Sequence, residues 1–395
     1  MSRAVLAYSG GLDTSVAIRW LVDQGHDVVA VVVDVGQRED FGIIAERGRL
    51  AGASDVRVVP AVDRFAEQVL SRAIKANGLY EAKYPMVSAL ARPLIADEVV
   101  AVAREVEADV LAHGCTGKGN DQVRFEVSFS VLAPDLPILA PIRDDGIPRD
   151  KAVVLAAEWG IPLADVATAF SVDENLWGRT AECGVLDDAW SSPPEAAFER
   201  TAAPANRPTD SVETVVTFEN GVPVALEGER MALASLIRAI DALGGRYGFG
   251  RVDMIENRRV GIKSRELYEV PAALALITAH RALEDLTLER EVAHAKPGLE
   301  QRWSELVYDG LWFSPLRTAI DAFVDATQAS VSGDVRLRFS PGACDVVGRR
   351  SSHGLYDVGL ATYGPDDAFD QRHAAGFIRM WGLPLKMWSE RQGVR

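Results

Sequence analysis

The feature that most constrains this chain is a glycine-rich corner between a short apolar strand and an amphipathic helix. Residues 7–15 read Ala-Tyr-Ser-Gly-Gly-Leu-Asp-Thr-Ser. Residues 3–8 predict a buried strand, and residues 14–24 predict a helix that stops before Gly25. Two glycines and three hydroxyl groups therefore lie at a helix N-terminus, where unpaired N–H groups and the helix dipole favour an anion. The corner predicts a phosphate-binding loop.

This loop differs from the two common nucleotide-binding glycine motifs. It contains no lysine and lacks the Walker A spacing, and the adjacent Gly10 and Gly11 do not match Gly-x-Gly-x-x-Gly. An ordinary strand-to-helix turn is the alternative, although Ser9, Thr14 and Ser15 supply more donors than a turn needs. The loop resembles the pyrophosphate-binding loop of ATP pyrophosphatases, which cleave ATP between the α and β phosphates and activate a carbonyl or ureido oxygen as an adenylate.

Strands and helices alternate over roughly the first 165 residues. This alternation predicts an α/β fold with a doubly wound parallel sheet and ligands at the carboxyl ends of its strands. The predicted strands are residues 3–8, 27–33, 56–60, 110–113 and 138–142, and the predicted helices are 14–24, 40–51, 63–76, 89–107 and 149–159.

The pattern changes after about residue 165 and predicts a second, α+β domain. A polar stretch over 187–211 predicts a surface loop, and Asn220-Gly221 predicts a type I′ hairpin over 212–226. Helices are predicted over 230–243 and 271–286, a hairpin over 335–339 with its turn at 341–342, and a terminal helix over 366–388. The expected domains are a nucleotide-binding domain over 1–165, a substrate-binding synthetase domain over 166–362 and a C-terminal helical tail over 363–395. This tail packs either on another subunit or on its own domain.

Composition excludes several classes of function. The formal net charge is −15, from 42 basic and 57 acidic residues, which argues against a broad nucleic-acid surface. Three cysteines without Cys-x-x-Cys spacing and six histidines without His-Glu-x-x-His spacing predict no metal site. No apolar run approaches the ~20 residues of a membrane span, and polar residues interrupt the N-terminal apolar stretch, so we expect a cytoplasmic protein without a signal peptide.

A second polar segment begins where the fourth predicted strand ends. Residues 113–126 read His-Gly-Cys-Thr-Gly-Lys-Gly-Asn-Asp-Gln-Val-Arg-Phe-Glu, on the same sheet edge as the first loop. A loop that caps a helix explains Asn120 and Asp121 as N-cap residues. It does not explain Lys118 and Arg124 beside them, so the segment predicts a ligand site.

Five segments together resemble the argininosuccinate synthase family. They are residues 7–15, 84–93, 113–126, 171–180 and 251–271, they occur in the family's order, and the resemblance extends from residue 4 to about 360. The resemblance implies an enzyme that uses ATP to join citrulline to aspartate. The reaction would pass through a citrullyl adenylate and release AMP and pyrophosphate. The resemblance also implies Mg²⁺ and a homotetramer.

The resemblance further implies a set of binding residues for each substrate. Asp121 suits an amine, Arg124 a carboxylate and Glu256 an ammonium group. No residue is assigned as a general base. The ATP residues are Ala7, Tyr8, Ser9, Gly10, Gly11, Leu12, Asp13, Thr14, Ser15, Val33 and Gly114; the aspartate residues are Thr116, Asn120 and Asp121; the citrulline residues are Tyr84, Asn120, Arg124, Ser171, Thr180, Glu256 and Tyr268.

Three positions depart from the family pattern. Ala89 stands where relatives often carry Ser, so a citrulline contact there is lost or moves to Ser88. Thr180 replaces Ser but keeps the hydroxyl group, and Val33 leaves only a backbone contact to adenine.

Structural roles are the alternatives for several of the candidate residues. Tyr84 and Tyr268 could be core aromatics, and Ser171 and Glu256 could cap helices or pair on the surface. The tryptophans at positions 177 and 190 are predicted to lie in the core.

Two other functions are compatible with the first loop. A tRNA-thiolating enzyme could use Cys115 and Cys183, although the acidic charge balance and the Asn120-Asp121…Arg124 set disfavour it. A non-catalytic nucleotide sensor would leave the segments after residue 165 without a role. A dehydrogenase is disfavoured because the glycine spacing that it needs is missing.

Overall fold

The N-terminal part of the chain is built on one parallel sheet. A computed structural model describes residues 2–147, 149–161 and 170–393, in two compact units that divide after His353. The first sheet contains β1 (Arg3–Ala7), β2 (Asp27–Asp34), β3 (Asp55–Pro60), β4 (Val110–His113) and β5 (Ile138–Leu139). Their order is β3-β2-β1-β4-β5, and every pair is parallel.

Helices cover both faces of this sheet. Alternate side chains of the central strands enter two different apolar cores, Leu6 and Ala30 on one face and Val5 and Val31 on the other. The predicted doubly wound α/β fold is therefore confirmed. The helices are α1 (Leu12–Asp23), α2 (Phe41–Leu50), α3 (Val62–Arg64), α4 (Ser71–Lys75), α5 (Val87–Glu105), α6 (Asp121–Leu132), α7 (Pro141–Asp144) and α8 (Arg149–Glu158).

Some predicted boundaries were wrong. The strand predicted over 138–142 ends at Leu139, because Pro141 has no N–H for a strand ladder and its fixed φ suits the first position of α7. The helix predicted over 63–76 contains a π-helical segment, Phe65–Leu70, between α3 and α4. The helix predicted from residue 230 begins at Leu233, because Arg230 pairs in a short strand.

Two antiparallel sheets form the next part of the first unit. Asn220 and Gly221 have φ of +48° and +76°, which confirms the predicted type I′ hairpin. The strands are β6 (Ser171–Asn175), β7 (Gly178–Glu182), β8 (Val212–Glu219), β9 (Val222–Leu226), β10 (Glu229–Arg230), β11 (Arg251–Asn257), β12 (Lys263–Glu269), β13 (Gly333–Ser340) and β14 (Ala343–Arg350). One sheet has the order β10-β9-β8-β13-β14 and the other β11-β12-β7-β6.

Four longer helices complete the first unit, and two lie in the second. The former are α9 (Leu233–Arg246), α10 (Pro271–Thr287), α11 (Arg290–Tyr308) and α12 (Pro315–Thr327); the latter are α13 (Val358–Ala361) and α14 (Arg372–Gln392). The rings of Phe377 and Trp381 stack along α14 with their centroids 5.8 Å apart. Within its own unit, no described residue of this helix is buried. Among the described residues, no helix is both long and apolar enough to cross a membrane.

A buried polar network joins the end of α4 to α10 and α11. The Asn77 amide donates to Glu284 and Glu300, at 2.6 Å in each case. Lys296 Nζ donates to Glu300 at 2.6 Å and lies 2.9 Å from a Glu284 oxygen. The ring of His280 lies 2.7 Å from the Asn77 amide oxygen, consistent with the structural role predicted for this histidine. Burial is tolerated here because Lys296 and the Arg281 guanidinium, 3.8 Å from a Glu300 oxygen, together offset the two carboxylates.

We expect Lys296→Met to destabilise the protein by about 3–5 kcal/mol, because it removes the ammonium group that lies between two buried carboxylates. Urea unfolding measures the loss. Arg19→Met is a matched control, since Arg19 forms an exposed ion pair with Asp23, and it is expected to cost less than about 1 kcal/mol. Equal losses in the two variants would contradict the role of Lys296.

Candidate active site

The first glycine loop exposes backbone at the start of α1. Gly10 has a φ of +80°, and a Cβ atom there would lie 2.8 Å from Ile44 Cγ1, so only glycine fits without strain. Gly11 is the N-cap of α1 and supplies no side-chain cap. Because Gly11 has no side chain to cap the first turn, the loop places backbone N–H groups at a helix N-terminus, where a phosphate could accept from them.

The side chains around this loop divide into those that face outward and those that shape it. The hydroxyl groups of Ser9 and Thr14 lie 3.1 Å apart at the exposed surface. Ser15 is fully buried; its hydroxyl donates to the Gly11 carbonyl at 2.8 Å and lies 3.1 Å from the Tyr8 hydroxyl. The buried side chains of Tyr8 and Ser15 therefore hold the loop, and their backbone N–H groups donate to the carbonyls of Val31 at 2.9 Å and Gly11 at 3.0 Å.

The second loop lies directly beside the first. Ala7 and His113 are paired across β1 and β4, so both loops leave the same edge of the sheet. A Cβ atom on Gly114 would lie 3.1 Å from the backbone nitrogen of Thr14, so the two loops touch through a glycine. This is the point where the strand order reverses, at which doubly wound sheets bind ligands.

Val33, where a backbone contact to adenine is predicted, lies next to the last residue of β2. The Val33 carbonyl accepts a hydrogen bond from Gln37 Nε2 at 3.0 Å, and its side chain is buried.

Asn120 and Asp121 begin α6 but do not act as side-chain caps. Asn120 Oδ1 accepts from the backbone N–H of Arg259 at 2.9 Å, which leaves the amide NH₂ group for a ligand. Asp121 accepts from Arg92 Nε at 2.8 Å and from Arg124 Nη1 at 2.7 Å. Burial raises the pKa of Asp121, but the two guanidinium groups outweigh it and lower this pKa to about 2. Asp121 is therefore an ionised carboxylate and a poor proton acceptor at neutral pH.

The four predicted citrulline residues after position 165 share one face of the β11-β12-β7-β6 sheet. Thr180 is paired with Tyr268 on one side and Asp173 on the other. Ser171 is two residues from Asp173, and Glu256 is four residues from Val252, the partner of Tyr268. Directly paired residues and those two apart lie on the same face. None of the four caps a helix, which removes that alternative for Ser171 and Glu256.

Tyrosine rings enclose the space beside this face. Tyr84 is buried and stacks on Tyr268 with ring centroids 4.0 Å apart, and Tyr308 meets Tyr84 edge-on at 6.4 Å. The Arg124 guanidinium lies 5.0 Å from the centre of the Tyr308 ring, and its Nε donates to the Tyr308 carbonyl at 3.0 Å. Arg124 therefore connects the second loop to the tyrosine cluster.

Glu256 lies at the base of this cluster and is 3% exposed. Its two oxygens lie 2.7 Å from the Tyr268 hydroxyl oxygen and 2.6 Å from the Tyr308 hydroxyl oxygen. Burial, followed by the charge of Glu266, raises the pKa of Glu256 to about 8. The ionised form of this carboxyl group would suit an ammonium group, whose positive charge favours that form.

Family models cover nearly the whole chain. The model described as "Arginosuccinate synthase N-terminal HUP domain" matches residues 3–162, and "Arginosuccinate synthase C-terminal domain" matches residues 170–388. The chain belongs to the argininosuccinate synthase family. The argininosuccinate synthases of Listeria monocytogenes serotype 4a (strain HCC23) and of Bacillus licheniformis are each 51% identical to it, over 98% of this chain and 96% of theirs.

Membership of the argininosuccinate synthase family defines the reaction. The chain is an ATP-using ligase of arginine biosynthesis that joins citrulline to aspartate, as predicted, and the tRNA-thiolating alternative is not favoured. A solved 4-thiouridine synthetase–RNA complex with bound ATP resembles 40% of this chain at 19% identity, with a TM-score of 0.32, too low for a functional argument.

Several side chains of this candidate site were missed at the level of sequence. Their sequence signal was weak, although Glu266 lies two residues before Tyr268 on the same strand face. They are Arg92, which bridges Asp121 and Asp173, together with Tyr308, Glu266 and Arg258.

The structure tests the core positions predicted for two tryptophans and shows the surroundings of Ala89, which departs from the family pattern. Trp177 is fully buried as predicted, whereas Trp190 is 96% exposed, so its core assignment was wrong. Ala89 is fully buried, and the Ser88 N–H lies 3.3 Å from the Tyr84 hydroxyl. A hydroxyl group for citrulline near this turn would come from Ser88.

Proposed function

We propose that this enzyme first activates citrulline as an adenylate and then transfers it to aspartate. The ureido oxygen of citrulline attacks the α-phosphorus of ATP, and the bond to the β-phosphate oxygen breaks to release pyrophosphate. The aspartate amine then forms a bond to the ureido carbon, and AMP leaves with the oxygen. The contact of Gly114 with Thr14 supports this sequence, because it joins the phosphate loop to the segment that carries Asp121 and Arg124.

ATP would occupy the edge of the parallel sheet. The N–H groups at the start of α1 and the exposed hydroxyl groups of Ser9 and Thr14 would hold the leaving pyrophosphate. The predicted ATP set, Ala7 to Ser15 with Val33 and Gly114, is retained with the side chains of Tyr8 and Ser15 in structural roles.

Aspartate would lie over the start of α6. The exposed Thr116 hydroxyl and the Asn120 amide would donate to its carboxylates, and the ionised Asp121 would attract its ammonium group. Because Arg92 and Arg124 hold both oxygens of Asp121, its orientation is set before substrate arrives.

Citrulline would lie on the sheet face beside the tyrosine cluster. Arg124 would bind its carboxylate and Glu256 its ammonium group, which leaves the ureido end for the phosphate loop. Tyr84, Asn120, Ser171, Thr180 and Tyr268 complete the proposed contacts.

Mg²⁺ fits the phosphate loop as a companion of ATP. Asp13 is a partly exposed carboxylate in the first turn of α1, and Mg²⁺ bound to nucleotides usually takes one or two carboxylates with the phosphates. When bound, the ion would offset charge that develops on the leaving pyrophosphate.

Assembly and location are further parts of the proposal. We place the domain boundaries near residues 165 and 362, and propose that the apolar side chains of α14 pack on another subunit of a cytoplasmic homotetramer. Light scattering on the full chain and on a chain that ends near residue 362 tests this, since the shorter chain is expected to lose the tetramer.

A direct assay distinguishes the proposed reaction from its alternatives. We expect ATP, citrulline and aspartate to yield AMP and pyrophosphate, while ATP with tRNA yields neither. Formation of ADP and phosphate, or ATP binding without turnover, would contradict the proposal.

A further inference from the structure

The hydrogen bonds around Tyr268 require one more proton than the tyrosine itself carries. Its hydroxyl lies 2.7 Å from Glu256 Oε2 and 2.9 Å from Glu266 Oε2. A hydroxyl has one hydrogen, and an ionised carboxylate can only accept. If both carboxylates were ionised, one of these contacts would have no hydrogen between its oxygens. One of the two glutamates therefore holds a proton.

The surroundings assign this proton to Glu256. Glu266 Oε1 accepts from Arg258 Nη2 at 2.8 Å, so a cation lies directly beside this carboxyl group. Glu256 meets hydroxyl groups instead, those of Tyr268 and Tyr308. Hydrogen bonds then run in one direction: Tyr308 donates to Glu256, Glu256 to Tyr268, and Tyr268 to Glu266.

The other charged and titratable groups that face this row of hydrogen bonds do not supply a cation to Glu256. Arg124 is paired with Asp121, and Arg258 is shared between Glu266 and Glu182. Burial and the charge of Glu266 raise the pKa of Glu256 to about 8, in agreement with the hydrogen-bond count. The facing groups are Tyr268 and Glu266 on β12, Glu182 on β7, Tyr308 on α11, Arg124 on α6, and Tyr80 and Tyr84 before α5.

We propose that Glu256 holds a proton in the citrulline site before the substrate binds, because Tyr268 donates its only hydrogen to Glu266. When citrulline binds, its ammonium group takes the place of this proton, which is released to solvent. This inference rests on the proposed role of Glu256. Glu266 is then a positioning residue, because its charge orients Tyr268 and keeps the proton on Glu256. Below about pH 8, where Glu256 holds this proton, citrulline binding carries the cost of removing it.

Calorimetry of L-citrulline binding to the full-length protein tests the inference. At pH 7, titration in two buffers of different ionisation enthalpy is expected to show release of about one proton per site, which vanishes above about pH 9. The KM for citrulline is expected to fall about tenfold from pH 6 to pH 7 and to level above pH 8. This wild-type profile does not depend on any variant folding.

Two matched variants separate the role of Glu266 from that of its neighbour. In Glu266→Gln the amide can donate to the Tyr268 oxygen, which frees the tyrosine hydrogen for an ionised Glu256, so proton release is expected to vanish. Glu182→Gln removes the other carboxylate on Arg258 but leaves the Tyr268 contacts, so release is expected to persist.

The possible results are distinguishable. Citrulline binding without proton release in the wild-type protein would overturn the stored proton and leave the proposed reaction intact. Release that persists in Glu266→Gln would overturn the role of Glu266. Absence of both citrulline binding and pyrophosphate release would overturn the proposed function together with this inference.

Discussion

Gly10→Val is expected to abolish ATP binding and with it the release of pyrophosphate. The φ of +80° at Gly10 is strained for a β-branched residue, and its Cβ atom would lie 2.8 Å from Ile44 Cγ1. Relief of this contact moves the backbone that would hold the phosphates. We expect at least about a 100-fold loss of ATP affinity, because displaced phosphate donors lose several charge-assisted hydrogen bonds. Calorimetry with ATP measures the loss.

Gly25→Val is the matched control for this substitution. Gly25 has a similar φ of +88°, but a Cβ atom there would meet open space within 4 Å among the described residues, and Gly25 follows the opposite end of α1. The control is expected to lower stability and to leave ATP affinity within about twofold. Unchanged ATP affinity in folded Gly10→Val would remove the assignment of the loop.

Asp121→Asn is expected to impair the aspartate step far more than adenylation. The amide keeps the size of the side chain but loses the charge proposed to attract the aspartate ammonium group. We expect argininosuccinate synthesis to fall about 100-fold or more, since loss of one charge of a buried pair costs about 2–5 kcal/mol. Citrulline-dependent exchange of pyrophosphate into ATP should fall about tenfold or less, because it precedes the entry of aspartate.

The choice of substitution and of control follows from the contacts of Asp121. Asp121→Ala would remove both acceptor oxygens from Arg92 and Arg124, whereas Asp121→Asn keeps one of them, so the alanine variant would disturb citrulline binding more. Asp173→Asn is the control, because Asp173 is the other carboxylate that pairs with Arg92. This variant is expected to affect both half-reactions only slightly. Equal loss of the two half-reactions in Asp121→Asn would contradict the role assigned to Asp121.

Local features of the site could be predicted because neighbouring residues in the chain encode them. The glycine corner before α1 combines a strand, a turn and a helix within a few residues, and the second loop follows β4 in the same way. Parallel pairing then brings Ala7 and His113 to one edge. The expectation of a shared ligand edge needed only strand order and direction.

The exposure of a side chain was less predictable because distant packing decides it, and one strand boundary was missed for a local reason. Trp190 is apolar and aromatic, which favours a core position, yet it lies in a loop where nothing covers its side chain among the described residues. The early end of β5 reflects a local cause, the missing N–H of Pro141, which outweighed the apolar pattern.

By itself, the amino-acid sequence determined the parallel sheet and the glycine loop that follows its first strand, since strand and helix periodicity and glycine placement act over short distances. The residues proposed for each substrate were implied by the resemblance of five segments to the family. Only the tertiary structure decided which groups these residues meet. Tyr308 reaches Glu256 from a helix 52 positions later in the chain, and Arg92 reaches Asp121 from 29 positions earlier. Such contacts depend on how helices pack on sheets, so they decide where charge and protons reside in the site.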